Sequence, residues 1–411
     1  MRFGVLRTPL LKGLTGVVSL AALLVAVPAG ASHEQEVVQV ADDCDGGSSN
    51  ATGYASNKRL TVTKSGRLLA VYDPHGSGMH LRWRDPGKGW KGITRGAVSN
   101  GNIVMSDGPN DRPASIALTT ASGVQRAWIV WAGYEFARPS AVMMRRLTGL
   151  SDPRGPHIGP EVILEPQGLG NVRADIAFER RASGPRGVVT WLRKTGEDSY
   201  AVVTGWLSDL SARPVLKSHT IHYLTTSDKP TGTLVPTPSG VALVARAGSL
   251  RMFTHSATQD LVSWSGGTAS ADVASQAKPS AIALPSGAVL ASVESDVINH
   301  VVEVVRFNAA GSQAATTLET NAGYMDPSLA PTGDGALLAM VRHSDKALLT
   351  RRLRGSTWGK DVVELTNEGG GDYAWPNLLK KAGSHVRMLI DAGRCPTNNQ
   401  HNAVIAYSRS L

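Results

Sequence analysis

The sequence predicts an all-β fold, a β-propeller of seven blades, with six as the alternative count. Three observations carry this. A short phrase recurs seven times at intervals of 54, 61, 56, 49, 48 and 49 residues. Every copy leads through a Gly-containing turn into a short apolar strand. No long segment after the first 31 residues shows helical periodicity.

The phrase is a Pro, then small and apolar residues. Its copies begin at Arg59-Leu60, Pro113-Ala114, Ala174-Asp175, Pro230-Thr231, Pro279-Ser280, Pro327-Ser328 and Pro376-Asn377, the first and third lacking the Pro. The turns follow at Ser65-Gly66, Ser122-Gly123, Ser183-Gly184, Ser239-Gly240, Ser286-Gly287, Asp334-Gly335 and Ala382-Gly383. Gly there is expected to supply the positive φ of a hairpin. The next strands are expected over 67–72, 126–131, 187–191, 241–245, 289–293, 336–341 and 385–390, rich in Val, Leu and Ile. Such runs suit strands buried on both faces between stacked sheets. Length alone allows two or three domains, but the repeat argues for one over 59–411.

The ends fit the same scheme. Residues 1–31 read as a signal peptide: Arg2, Arg7 and Lys12 precede an apolar stretch from Gly13 to Val27, and Ala29-Gly30-Ala31 suits cleavage. The apolar run falls short of the roughly 20 residues a membrane span needs. The expectation is therefore a secreted monomer of bacterial type, with no membrane span in the mature form. Residues 32–58 form a closing segment. The last copy leaves too few residues for a full blade, and Val37 to Val40 can supply its fourth strand, so that both chain ends close the ring. Cys44 and Cys395 are the only cysteines, and an even count in an exported chain reads as one disulfide. In the propeller both fall in loops of one face, and so long a closed loop is worth roughly 4 to 5 kcal/mol in the entropic account. Asn50-Ala51-Thr52 matches a glycosylation acceptor.

Without the signal the net charge is near +6, mildly basic. That suits an acidic polysaccharide or cell-surface glycan. No Lys/Arg block or zinc-finger spacing argues for nucleic acid. No two-His motif marks a metal, despite the proximity of Asp73, His75 and His80, and no phosphate loop or nucleophile elbow marks a cofactor or hydrolase. Cofactors and metals are therefore not expected.

Strands in a blade alternate direction, so the loop leading into a blade and the loop between its second and third strands share a face. Polar residues cluster there. Arg112, Arg173, Arg246 and Arg342 come from four blades and could bind carboxylate or sulfate bidentately. Tyr373 and Trp375 could stack on sugar rings. Asp73, Glu135, Asp175, Glu294 and Asp326 are candidates for a hydrolytic carboxylate pair. His75 or His343 beside a Tyr or Arg would suit a lyase acting on a uronic acid.

Two segments extend the reading to a family. Asp85-Pro86-Gly87-Lys88-Gly89-Trp90 and Gly355-Ser356-Thr357-Trp358 look like eroded copies of the Ser-x-Asp-x-Gly-x-Thr-Trp box. The chain thus resembles the sialidase-like, BNR-repeat propellers. That resemblance implies a glycan ligand and a glycosidase or lyase reaction. Where the family carries an Arg-Ile-Pro motif, this chain has Asp111-Arg112-Pro113. Two readings follow: a secreted propeller that binds an extracellular acidic glycan, with its cleavage left open, or a non-catalytic binding scaffold of the cell exterior.

Overall fold

A computed structural model describes residues 33–40, 58–72, 79–92, 114–132, 141–166, 172–196, 199–225, 231–247, 249–272, 279–296, 298–309, 314–366, 373–381, 385–392 and 403–411. The expected signal peptide, the Cys44–Cys395 bond, Asp73, His75, Arg112 and Glu135 lie outside the described residues.

The chain is a seven-bladed β-propeller of antiparallel sheets. Six sheets are made of consecutive strands. The seventh holds Tyr373–Leu378, His385–Ala392 and Ala403–Ser410, and its fourth strand is His33–Val40, antiparallel to Ala403–Ser410. The second strand of each blade lies where the apolar runs place it, with ends shifted by at most three residues; in chain order, blades 1 to 7 have Leu68–Tyr72, Val124–Ala132, Arg186–Lys194, Gly240–Ala247, Val289–Asp296, Gly335–Arg342 and His385–Ala392. Leu68–Tyr72 is buried at all five positions. A strand covered on both faces has no polar face to show, so its sequence does not alternate.

The cores explain why the blades form a ring. Seven apolar clusters each join two neighbouring blades. One of them joins last to first: Leu60, Val62, Ala70 and Tyr72 pack with Leu379 and Leu389. A fully buried Leu or Val contributes about 1.5–3 kcal/mol, and a blade gains this only by meeting a neighbour.

A second device stitches the inner strands. The small polar residue of the recurring phrase accepts a backbone hydrogen bond from the neighbouring blade. Leu329 N donates to Ser280 Oγ at 3.0 Å, Leu378 N to Ser328 Oγ at 3.1 Å, and Arg59 N to Asn377 Oδ1 at 3.2 Å. Leu234 N donates to Asp175 Oδ2 at 2.8 Å, and Lys58 N to Ser115 Oγ at 3.1 Å. The Asn377–Arg59 bond again joins the last blade to the first.

The turn glycines need one correction. Gly66, Gly123, Gly184 and Gly287 have positive φ as expected, but Gly240 and Gly335 do not. There the requirement is space: a Cβ would lie 1.9 Å from the His255 carbonyl oxygen at Gly240 and 2.1 Å from that of Leu353 at Gly335. Both box-like segments form hairpins between third and fourth strands. Asp85 accepts from Arg67 Nε at 2.7 Å, and Gly87 and Gly355 have positive φ.

Candidate functional site

The site is built on the face where the inner strands begin, called the upper face below. Three inner strands carry a bulge at the same place, two residues ahead of the stitching residue: Arg173-Ala174 before Asp175, Asp326-Pro327 before Ser328, and Trp375-Pro376 before Asn377. Pro cannot donate to a ladder, so it tolerates an unpaired position. Arg173 and Asp326 both take the left-handed backbone conformation, with φ of 56° and 53°. Non-glycine residues are strained there, and such strain concentrates at functional sites.

Among the described residues five non-glycines have positive φ: Ser122, Arg173, His300, Asp326 and Lys346. Ser122 belongs to a hairpin turn on the opposite face. The other four lie on the upper face, and His300, Asp326 and Lys346 converge where blades 5 and 6 meet.

Three loops meet there. The loop between Val289–Asp296 and Val301–Phe307 starts at Asp296, whose carboxylate accepts from Ile298 N and Asn299 N at 2.8 and 3.0 Å. Those bonds hold its carboxyl below the usual range and fold the turn that ends in His300. The loop leading into blade 6 crosses it: Gly323 N and Tyr324 N donate to the His300 carbonyl at 3.0 and 2.6 Å. The third loop, after Gly335–Arg342, joins through His343 N to the Gly323 carbonyl at 2.8 Å.

This stitching stacks two imidazoles. The rings of His300 and His343 lie 4.0 Å apart with 22° between planes. Glu294 Oε1 accepts from His300 Nδ1 at 2.9 Å. Lys346 Nζ donates to His343 Nδ1 at 3.1 Å, which puts the His343 proton on Nε2. The Lys346 charge, with burial and His300, pulls the His343 pKa down. His343 is exposed, and His300 and Glu294 are partly so. Behind them Tyr324 donates to Asp361 Oδ2 at 2.8 Å, and Arg351 pairs with the same carboxylate.

The cluster can do two things. Lys346 offers a cationic donor, and His343 Nε2 a neutral N–H donor, to an oxyanion. The carboxylate fixes His300 through Nδ1, leaving Nε2 as the nitrogen that can take a proton, the usual arrangement of an oriented base.

Other expected site residues are placed differently. Arg342 does not present a free fork: Asp345, three residues on, accepts from its Nε and Nη2 at 2.9 and 2.5 Å. Arg246, opposite Thr231 in its sheet, is 0% exposed and is no part of an open rim. Asp175 is 1% exposed, and its oxygens accept from Lys58 Nζ, Thr233 Oγ1, Leu234 N and Ile176 N. It braces blades rather than meeting a substrate. Tyr373 and Trp375 lie on the inner strand of blade 7, the latter in its bulge.

Sequence reasoning missed His300, Lys346, Lys58 and Lys380. Lys58 reaches from blade 1 to Asp175 of blade 3 at 2.7 Å. Lys380, after the inner strand of blade 7, donates to Ser280 and Ser328 Oγ and to the Leu329 carbonyl at 2.5, 3.2 and 2.5 Å. Burial, with Lys58 nearby, pulls its pKa down to about 7. Each lysine bonds to inner-strand residues outside its own blade. Among the described residues no group of His, Cys, Asp and Glu is arranged to hold a metal, and no helix is long and apolar enough to cross a membrane.

No family model and no curated protein matches the chain. Solved structures do. An oligogalacturonate lyase in complex with manganese aligns at 10% identity and a TM-score of 0.51, over 93% of this chain and 94% of that one. Aleuria aurantia lectin in complex with α-methyl-L-fucoside aligns at 12% and 0.46, over 75% and 95%. The NanB sialidase of Streptococcus pneumoniae aligns at 11% and 0.42, over 88% and 70%. The chain spans about half the length, 51%, of a prolyl endopeptidase that it also matches. At such identities the likeness is one of fold.

Proposed function

We propose that the chain is an exported propeller that binds an acidic glycan on its upper face, at the junction of blades 5 and 6. The observation that carries this is the His300–His343–Lys346 cluster, in which two strained, non-glycine positions hold an ammonium and two stacked imidazoles together at the surface. Lys346 has no hydrogen-bonded acid among the described residues, and the Nε2–H of His343 lies on the same ring that its ammonium holds. An oxyanion would pair with the ammonium and accept from that Nε2, and a uronate carboxylate has the right charge and size. The signal-like start of the sequence supports export.

The Glu294–His300 pair favours a second reading, elimination from a uronate. His300 Nε2 would take the C5 proton, the C–H electrons would form a C4–C5 double bond, and the C4–O bond would break. The leaving oxygen would carry off its electrons and gain a proton from water. Lys346 and His343 would neutralise the carboxylate, which makes that C5 proton more acidic.

Titration of the protein with polygalacturonate and with a neutral glucan tests the binding. The expected result is preference for the acidic polymer and a loss of at least tenfold in H343A/K346A. Equal binding of both polymers, or an unchanged double variant, would overturn it. Absorbance at 235 nm tests elimination: a rise that His300→Ala abolishes supports it, while binding without a rise leaves a non-catalytic receptor.

A further inference from the structure

The opposite face carries a different feature. A cavity of about 310 Å³ opens beside the first hairpin of blade 3. Its apolar side is formed by Leu207, Leu210 and Leu261, the last contributed by blade 4. Its polar side carries three cations, Arg181, Arg186 and Lys217. Asp209 is the single acid among the described lining residues, and its oxygens already accept from Ser208 Oγ and Ser211 N at 3.1 and 2.7 Å.

Arg186 is the preorganised member. Its Nε and Nη2 donate to Glu179 Oε2 at 2.9 and 2.5 Å, and its guanidinium lies 4.2 Å from the Trp206 ring centre. Glu179 is fully buried and also meets His255 Nδ1 at 2.9 Å. The side chain is thus held in one rotamer, with Nη1 as the donor not used on Glu179. Arg181 and Lys217 are exposed and have no hydrogen-bonded acid among the described residues. A fixed guanidinium edge, two exposed cations and an apolar wall suit a small ring bearing an oxyanion.

We infer that this cavity is a second binding site, separate from the upper face, for the carboxylate or sulfate group of an acidic sugar. The anion sits against Arg186 Nη1, Arg181 and Lys217, and the C–H face of the ring lies on the leucines. The inference does not depend on the upper-face reading.

Calorimetric titration of the full chain with galacturonic acid, inorganic sulfate and galactose tests it. The two anions should bind and galactose should not. R181A/K217A should lose at least tenfold in affinity for the anions, whereas H343A/K346A should retain the lower-face component. Both substituted positions are exposed, so circular dichroism should show unchanged folding. Anion affinity unchanged in R181A/K217A would overturn the proposal, as would equal binding of galactose or no binding by the wild type. Loss in H343A/K346A alone would assign the anion to the upper face instead.

Discussion

Asp175→Ala should destabilise the protein by about 3–5 kcal/mol, the usual cost of breaking a buried ion pair from one side. The carboxylate is 1% exposed and receives donors from blade 1 and from blade 4. Lys58 Nζ lies 2.9 and 2.7 Å from its oxygens, and Leu234 N of blade 4 lies 2.8 Å away. Alanine strands the Lys58 ammonium on one acceptor, the Ile176 carbonyl, and leaves the Ile176 and Leu234 amides without their partner. Unpaired buried donors are what makes such a change expensive. Removing both charges is a different experiment: Lys58→Met with Asp175→Leu should recover much of the loss, because two desolvation costs vanish together. Urea unfolding at pH 7 measures both. A loss below about 1 kcal/mol in the single variant, within the range of ordinary surface changes and weak contacts, would show that Asp175 is no brace.

The same residue shows what the sequence could reveal. Asp175 was legible as a carboxylate near the upper face, and so looked catalytic. Its alignment with Ser280, Ser328 and Asn377 held the better information. In those three blades that position supplies a small acceptor to the neighbouring strand, and an aspartate in blade 3 does the same work with a charge. The phrase is periodic because the stitching is periodic. Its regularity made the blades readable, together with apolar second strands that must be buried on both sides. The lysines that reach across the inner ring had no such signature. Lys58 and Lys380 flank the first and last copies, and nothing local distinguishes a lysine facing inward from one facing water.

The upper-face cluster was half legible for a related reason. Glu294 and His343 follow apolar strands, which placed them on the correct face. His300 stands at the end of a tight hairpin, a position where glycine is the easy choice, and its strain becomes visible only with the backbone. Arg342 misled because an arginine at a strand end says nothing of whether its fork is filled. Asp345, three residues later, was the available hint, and the bidentate pair explains why it raises the Arg342 pKa and lowers its own.

His222 should make the protein labile to mild acid. Its ring meets Trp264 edge-on at 4.8 Å, lies 5.0 Å from Phe253, and its Nε2 is 2.7 Å from Thr204 Oγ1. Aromatic and hydroxyl groups surround it, and burial pushes its pKa from 6.5 down to about 4. The sign follows from proton counting. Above pH 6.5 the ring is neutral folded or unfolded, and stability does not change through it. Between 6.5 and about 4 the unfolded chain binds a proton that the folded chain refuses, so stability falls as pH falls. The total loss is on the order of 3 kcal/mol. His222→Phe keeps the ring contacts and loses the Thr204 bond, at a cost of about 1 kcal/mol near neutrality. The variant should therefore start less stable and end more stable, the two curves crossing at about pH 6. Denaturant unfolding of both proteins from pH 7.5 to 4 reads this directly. Parallel curves without a crossing would mean that the folded ring takes its proton as readily as the unfolded one, and that the blade 3–4 interface tolerates the charge.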